Sequence, residues 1–194
     1  MALGLTEQDD GKLALRASEG DGAAFGEIVR RYQAQVYRLC RRYVGPADAD
    51  DIAQEAFVKA FLNVKRFDAA RPMAPWLLTI ARRLCIDRLR ARKARPASDD
   101  EPEALPTQAT AEADTASKET MVLLQGALKE LPEGQREAVV LFHVEELPYK
   151  DIAAVLDVPM GTVMTWLHRA RAQLRQKLGD EHPAAKKLSM GVET

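Results

Sequence analysis

The sequence predicts an all-α protein of two small helical domains joined by a flexible acidic linker, with a helix-turn-helix in the second domain. Apolar residues recur at spacings of three and four on both sides of the linker, and no run alternates as a strand would. Residues 96–118 lack large apolar side chains and cannot bury enough surface to offset their ordering entropy. We therefore expect domains at residues 1–95 and 119–181, a linker at 96–118 and a tail at 182–194.

The first domain is predicted to contain three helices. The first precedes Pro46, the second follows it, and a loop that contains Pro72 and Pro75 leads to the third. The apolar positions of the first helix are Phe25, Ile28, Val29, Tyr32, Val36 and Leu39. Those of the second are Ile52, Ala53, Ala56, Phe57, Ala60, Phe61 and Val64. Those of the third are Trp76, Leu77, Ile80, Ala81, Leu84, Ile86 and Leu89.

The second domain ends in a helix-turn-helix pattern. Pro148 opens a short helix, and the turn Asp157-Val158-Pro159 separates it from a second helix. We expect Asp157 in the left-handed conformation, which Asp tolerates better than most residues. The second helix presents an apolar face of Val163, Leu167, Ala170, Leu174 and Leu178. In such motifs the second helix enters the major groove of DNA.

The charges are segregated although the net charge is only −1. Residues 82–95 contain seven bases and one acid, whereas residues 96–119 contain seven acids and one base. Residues 162–178 contain four bases and no acid. A single basic cluster is usually a solvated helix face, but two clusters on separate elements indicate two contacts with a polyanion.

Neither enzymatic chemistry nor metal binding is predicted. Cys40 and Cys85 lie in unrelated contexts without metal-ligand spacing, and His143, His168 and His182 form no triad or metal pattern. There is no glycine-rich phosphate loop, so we expect no cofactor. No apolar run approaches the roughly 20 residues of a membrane span, and no secretory signal is present. We therefore expect a cytoplasmic protein without membrane insertion.

Four motifs together resemble the extracytoplasmic-function (ECF) group of bacterial RNA polymerase sigma factors, in the sigma-70 family. The resemblance covers residues 20–95 and 119–179. The motifs are DDIAQEAF at 50–57, PWLLTIARRLCIDRLR at 75–90, LPEGQREA at 131–138, and GTV at 161–163 with LHRAR at 167–171. The resemblance implies a sigma factor that binds core RNA polymerase and directs promoter-specific initiation under the control of an anti-sigma factor.

The first motif is similar to the polymerase-binding helix of that family. Its apolar stripe leaves Asp51, Gln54, Glu55 and Val58 toward solvent, next to Asp50. The resemblance implies the clamp helices of the largest polymerase subunit as the partner of this strip, and the flap as a further contact. The alternative is a cluster of helix-capping acids, but Gln54 and Glu55 lie past the first turn and contribute little to capping.

The second motif is similar to the promoter-melting helix, and the preceding loop, residues 68–74, to the pocket for a minus-ten base. A melted strand is held by cations and by stacking on aromatic rings. Trp76 is a candidate for such stacking, although its spacing also suits the core. The minus-ten candidates are Arg71, Met73, Trp76, Arg82, Arg83, Arg88 and Arg90.

The helix-turn-helix is similar to the domain that recognises the minus-thirty-five element. Relatives commonly have a basic residue, Ser and then Arg where this chain has Met164, Thr165 and Trp166. Trp166 either stacks on DNA or packs on a neighbouring helix. Because Arg is the usual reader of guanine edges and phosphates, we expect Arg169, with His168, to read bases and Arg171 to contact phosphate. The minus-thirty-five candidates are Met164, Thr165, Trp166, His168, Arg169 and Arg171.

A helix-turn-helix regulator that binds operator DNA unaided is the alternative function. It accounts for the second domain, but it leaves the helix at Asp50 and the first basic helix without a role. Binding of core polymerase distinguishes the two.

Overall fold

A computed structural model describes residues 8–94 and 123–179 of the chain. The chain divides into two compact units, 1–105 and 106–194. This division falls within the predicted linker at 96–118, which lies outside the described residues, as does the predicted tail at 182–194. Every regular element in the described residues is a helix, which confirms the all-α prediction.

Four α-helices and one short 3₁₀ turn form the described part of the first unit, residues 8–94. They are α1 (Asp10–Ser18), α2 (Gly22–Val44), α3 (Pro46–Asn63), the 3₁₀ turn (Val64–Arg66) and α4 (Met73–Lys93). In the second unit, α5 includes the helical residues 123–129 and is followed by α6 (Glu133–His143), α7 (Tyr149–Leu156) and α8 (Met160–Leu178). Among these helices none has the length and apolarity needed to cross a bilayer.

The core of the first unit lies between α2, α3 and α4, which all pack on one another. Its fully buried side chains include Ile28, Leu39, Ile52 and Leu77, all at predicted apolar positions. Phe61 is an exception, because it lies at the edge of the α3 stripe. The residue is 42% exposed, and its ring makes a T-shaped contact with the ring of Phe25 at a centroid distance of 5.0 Å.

The third predicted helix begins earlier than expected. Helix α4 starts at Met73, so Pro75 lies in its first turn rather than in the preceding loop. Proline is tolerated there because an N–H in the first turn would have no helical acceptor. The early start draws Met73 into the core.

Helix α1 was not predicted and is tied to α2 by a charged cluster. Its inner face buries Leu13, Ala14 and Ala17, and its N-cap is Asp9. Arg31 pairs with Asp10 of α1 at 2.8 Å and with Glu27 of α2 at 2.9 Å. Tyr32 also donates its hydroxyl hydrogen to Asp10. These bonds compensate for placing carboxylates beside the core.

Glu27 is the centre of this cluster. Its carboxylate is buried and accepts two hydrogen bonds from Arg30, both at 2.7 Å, and one from Arg31 at 2.9 Å. Hydrogen bonding from Arg30, supported by Arg31, outweighs desolvation and lowers the pKa of Glu27 from 4.5 to about 2. Folding therefore favours the ionised form of this side chain.

The second unit buries one face of α8 against α6 and α7. The predicted positions Val163, Leu167, Ala170 and Leu174 are all buried there. The turn between α7 and α8 holds Asp157 at φ 58° and ψ 49°, which confirms the left-handed conformation predicted for this residue. The helix-turn-helix thus forms as the sequence indicates.

The Glu27 cluster should make the stability of the first unit fall in acid. The unfolded chain takes up the Glu27 proton near pH 4.5, whereas the folded chain resists until about pH 2. The stabilisation is therefore complete above about pH 5 and is lost as the pH falls toward 2. We expect Glu27→Gln to destabilise the protein at neutral pH and to differ progressively less from the parent below about pH 4.

Urea unfolding at several pH values measures this difference, and hydrogen exchange of α1 and α2 assigns it to the first unit. Glu19→Gln, a change at an exposed acid at the end of α1, is the matched control and should follow the parent. A Glu27→Gln destabilisation that stayed constant down to acid pH would contradict the linkage.

Candidate polymerase and nucleic-acid interfaces

One face of α3 is exposed along the length of the helix. Asp51, Gln54, Glu55 and Val58 all point to solvent, as predicted, while Ile52, Ala53, Ala56 and Phe57 form the buried side. Asp50 is also exposed, at the margin of this row.

The row continues to Leu62, which is not among the interface residues predicted from the sequence. Val58 is 57% exposed and Leu62, one turn later, is 73% exposed. The spacing of four from Val58 was the available signal. We call Asp51, Gln54, Glu55, Val58 and Leu62 the α3 face: it is acidic and polar at its start and apolar at its end.

The acids of α3 have separate roles. Glu55 pairs with Lys59 at 3.1 Å, and both side chains are about half exposed. Asp48 faces α4 instead, where Arg88 approaches one carboxylate oxygen at 3.3 Å and Arg92 the other at 2.5 Å. Asp48 therefore holds α3 and α4 together.

The arginines of α4 divide into two groups. Arg88 pairs with Asp48, and Arg82 donates from Nε to the hydroxyl of Tyr43 at 2.9 Å, so both are directed at neighbouring helices. Arg83 and Arg90 are exposed. The contact of Arg90 with Asp87 is 3.8 Å long between two exposed side chains, and such pairs contribute little.

The loop before α4 corrects one predicted contact. Met73 is 1% exposed, so it belongs to the core and we remove it from the minus-ten candidates. Arg71 is exposed and pairs with Asp68 at 3.2 Å across the turn. Trp76 is half-buried and packs on Phe67, with 5.0 Å between ring centroids. Of the two alternatives for Trp76, the structure shows the packing contact.

The outer side of α8 carries four of its six candidates. Met164, Thr165, His168 and Arg169 are all exposed. Thr165 donates its hydroxyl hydrogen to the Gly161 carbonyl at 2.9 Å.

The other two candidates of α8 turn toward α6. The Trp166 ring packs on Gly134 so closely that a Cβ there would lie 2.6 Å from the indole, which is the packing alternative of the sequence analysis. The Arg171 guanidinium lies 5.2 Å from the centre of the Phe142 ring, with Nε and Nη2 buried. We expected Arg171 to contact phosphate. A cation–π contact with α6 occupies it instead.

The two cysteines meet although their sequence contexts are unrelated. Cys40 of α2 and Cys85 of α4 are both buried and reduced. Hydrogen bonding with Cys40, together with burial, raises the pKa of the Cys85 thiol. Nucleophilic or metal-ligating thiolate is therefore disfavoured. No group of His, Cys, Asp and Glu within residues 8–94 and 123–179 is suited to holding a metal ion.

Comparison with known proteins identifies both units. Residues 28–95 match the model of sigma-70 region 2, and residues 121–174 match that of sigma-70 region 4. The chain is 37% identical over 176 residues to the ECF RNA polymerase sigma factor SigW of Bacillus subtilis. The aligned region covers 85% of this chain and 94% of SigW. The chain belongs to the ECF sigma factors. The sigma-E factor of Escherichia coli K12 is 35% identical over 188 residues, or 92% of this chain and 97% of that protein.

Solved structures agree with this family. CnrH, solved in complex with the cytosolic domain of CnrY, has a TM-score of 0.64 and 27% identity, over 89% of this chain and 98% of CnrH. The sigma factor RpoE of Bartonella quintana shares the fold, with a TM-score of 0.63 at 22% identity. Because the region 2 match includes α3 and α4, this ECF sigma factor is not a stand-alone helix-turn-helix regulator.

The contact between Trp166 and Gly134 should make Gly134→Ala destabilising. The added methyl group would lie 2.6–2.9 Å from Cη2, Cζ3 and Cζ2 at the outer edge of the indole six-membered ring, and overpacking of this kind costs about 1–3 kcal/mol. Gly161→Ala is a matched control, because Gly161 is also the second residue of its helix but has open space around it. Urea unfolding of the full chain should show a loss for Gly134→Ala and none for Gly161→Ala.

A double-mutant cycle tests the cause. In a Trp166→Ala background, Gly134→Ala should lose its penalty, because the atoms that it meets are gone. If Gly134→Ala has the same effect in both backgrounds, the collision is not the source of the destabilisation.

Proposed function

We propose that this ECF sigma factor binds core polymerase through the α3 face, melts and recognises the minus-ten element with α4 and the loop before it, and recognises the minus-thirty-five element with α8. The proposed domains are residues 1–95 for the first two tasks and 119–181 for the third. The α3 face is the observation that supports this proposal, because a protein that binds DNA unaided does not need an exposed surface for a protein partner.

The α3 face has the composition of a protein-binding surface. Adjacent exposed apolar residues such as Val58 and Leu62 mark interaction sites more often than single ones do. The acidic half, at Asp51 and Glu55, adds electrostatic complementarity to a basic partner, which raises association rates and sets orientation. The clamp helices of the largest polymerase subunit are the proposed partner of this face, with the flap as a further contact of the chain.

The minus-ten contacts are proposed for the arginines that stay exposed and do not bridge to a neighbouring helix. Arg83 and Arg90 on α4, with Arg71 on the loop, present exposed guanidinium groups to a strand backbone. Arg82 and Arg88 contribute by orienting α4 through Tyr43 and Asp48. On α8, we propose His168 and Arg169 as readers of minus-thirty-five bases.

An anti-sigma factor is the proposed regulatory partner. The structure of CnrH with the cytosolic domain of CnrY supports a partner protein for a sigma factor of this fold. Sigma factors generally have no enzymatic activity, and we propose none for this chain. Since core polymerase and promoter DNA are its proposed targets, we place it in the cytoplasm.

Charge reversal on the α3 face should abolish core binding. In Asp51→Lys/Glu55→Lys, the acidic half of the face becomes repulsive to a basic partner. The new Lys at 55 also lies one turn from Lys59, which costs only a few tenths of a kcal/mol in helix stability. We expect a native circular dichroism spectrum and a loss of core polymerase binding of at least about 100-fold, because like charges across an interface cost several kcal/mol.

The matched control is Glu19→Lys/Glu133→Lys, which changes the net charge equally at exposed acids outside the α3 face. It should bind core polymerase like the parent. Equal binding by Asp51→Lys/Glu55→Lys and the parent would refute the proposed interface.

The two arginine groups of α4 should behave differently on substitution. Arg83→Ala/Arg90→Ala removes exposed cations, so open-complex formation should weaken and the salt dependence of promoter binding should become shallower, since fewer counterions are released. Stability should change little. Permanganate footprinting of the promoter bubble over a range of salt concentrations measures both effects.

Arg88→Ala is the comparison within the same helix. It removes one partner of Asp48, so it should lower the unfolding free energy of the first unit by about 1–3 kcal/mol. The assignment of the two groups would be wrong if Arg83→Ala/Arg90→Ala destabilised the fold and left the bubble unchanged.

A further inference from the structure

The N-terminal half of α8 has an uncharged outer side. Residues 160–167 contain no acid or base, although the C-terminal half of the helix contains Arg169, Arg171, Arg175 and Lys177. Met160 is 51% exposed and Met164 is 49% exposed. Residues four apart share one side of a helix, so the two thioethers form a short exposed row that His168 continues one turn later.

Two of the polar side chains near this row have intramolecular contacts. Thr165 uses its hydroxyl hydrogen on the Gly161 carbonyl, and Trp166 packs its ring on Gly134. Methionine sulfur is at most a weak acceptor and donates no hydrogen bond. This part of α8 therefore presents mainly methyl, methylene and thioether groups to its surroundings.

We propose that Met160 and Met164 recognise thymine methyl groups in the minus-thirty-five element. This inference rests on the proposed function of α8. In helix-turn-helix proteins the N-terminal residues of the second helix contact base edges in the major groove. The C5-methyl group of thymine is the apolar feature of that groove, and a flexible thioether adapts to its shape.

The neighbouring charges favour DNA over a protein surface as the occupant. His168 and Arg169 are exposed immediately after the methionine row, and Arg169 provides the cation that a phosphate or a guanine edge attracts. A cation at position 164 would select guanine, whereas Met164 selects a base pair that contains thymine. The promoter preference of this chain at that position should therefore depend on a methyl group rather than on a hydrogen bond.

Replacement of thymine by uracil isolates the methyl group, because the hydrogen-bonding edges stay the same. A promoter is first selected by the holoenzyme from a library randomised at the minus-thirty-five element. Each thymine of that element, on either strand, is then replaced singly by uracil, and holoenzyme affinity is measured by competition. For at least one uracil, we expect the parent to bind about fourfold more weakly, the effect of exposing one buried methyl-sized group.

Variants at the two methionines test the assignment. Met164→Ala should bind the thymine promoter more weakly and lose the difference between thymine and uracil, whereas Met164→Leu should retain much of it. Met160→Ala should do the same at a neighbouring thymine. Both side chains are exposed, so the variants should bind core polymerase and unfold like the parent.

Two results would overturn the inference. One is a parent holoenzyme that binds every uracil promoter as tightly as the thymine promoter. In that case the methionine row would be a surface for a protein partner rather than for DNA. The other is an equal thymine preference in the parent and in both Ala variants.

The Arg169→Ala variant distinguishes failure of this inference from failure of the proposed function. It should weaken binding to the minus-thirty-five element even if replacement of thymine by uracil has no effect. If scrambling the element and Arg169→Ala both have no effect, α8 does not recognise the element at all.

Discussion

The pairing of Asp48 with Arg88 and Arg92 is the constraint on which the arrangement of the first unit depends. It joins α3, the proposed polymerase helix, to α4, the proposed promoter helix, through one largely buried carboxylate. A carboxylate in that position needs cationic partners, because burial of an unpaired charge is costly. Two of the arginines that make α4 so basic are therefore structural. The α3 face and the exposed arginines of α4 are then held on a common rigid support.

In the second unit, aromatic contacts hold the functional helix α8 in a fixed position on its neighbour. Trp166 packs on Gly134, and Arg171 packs over Phe142, so α8 is fixed to α6 at two points one and a half turns apart. In both units, side chains that look like surface cations or stacking groups in the sequence instead orient a functional helix. The DNA contacts are therefore proposed for fewer residues, such as Arg83 on α4 and Arg169 on α8.

The sequence predicted the helices of the long periodic segments, the conformation of Asp157 and the outward row from Asp51 to Val58, because these follow from the helical period and from local backbone preference. It did not predict which arginines turn inward, since periodicity places a residue on a face without naming its partner. Met73 was misplaced because the helix start before Pro75 depends on tertiary packing. Gly134 carried no signal, because its importance lies in the absence of a side chain.

Internal pairing also limits how tightly the chain can hold DNA alone. Once Arg82, Arg88 and Arg171 are committed to protein contacts, fewer exposed cations remain on the proposed DNA surfaces within residues 8–94 and 123–179. Affinity for duplex DNA grows with the number of phosphates neutralised, so we expect each unit by itself to make a weak contact. Two weak contacts become strong when both are held near one promoter, because the second binding event is then effectively intramolecular. In the proposed function, attachment to core polymerase supplies that tethering, so the α3 face would have a physical role in promoter recognition without touching DNA.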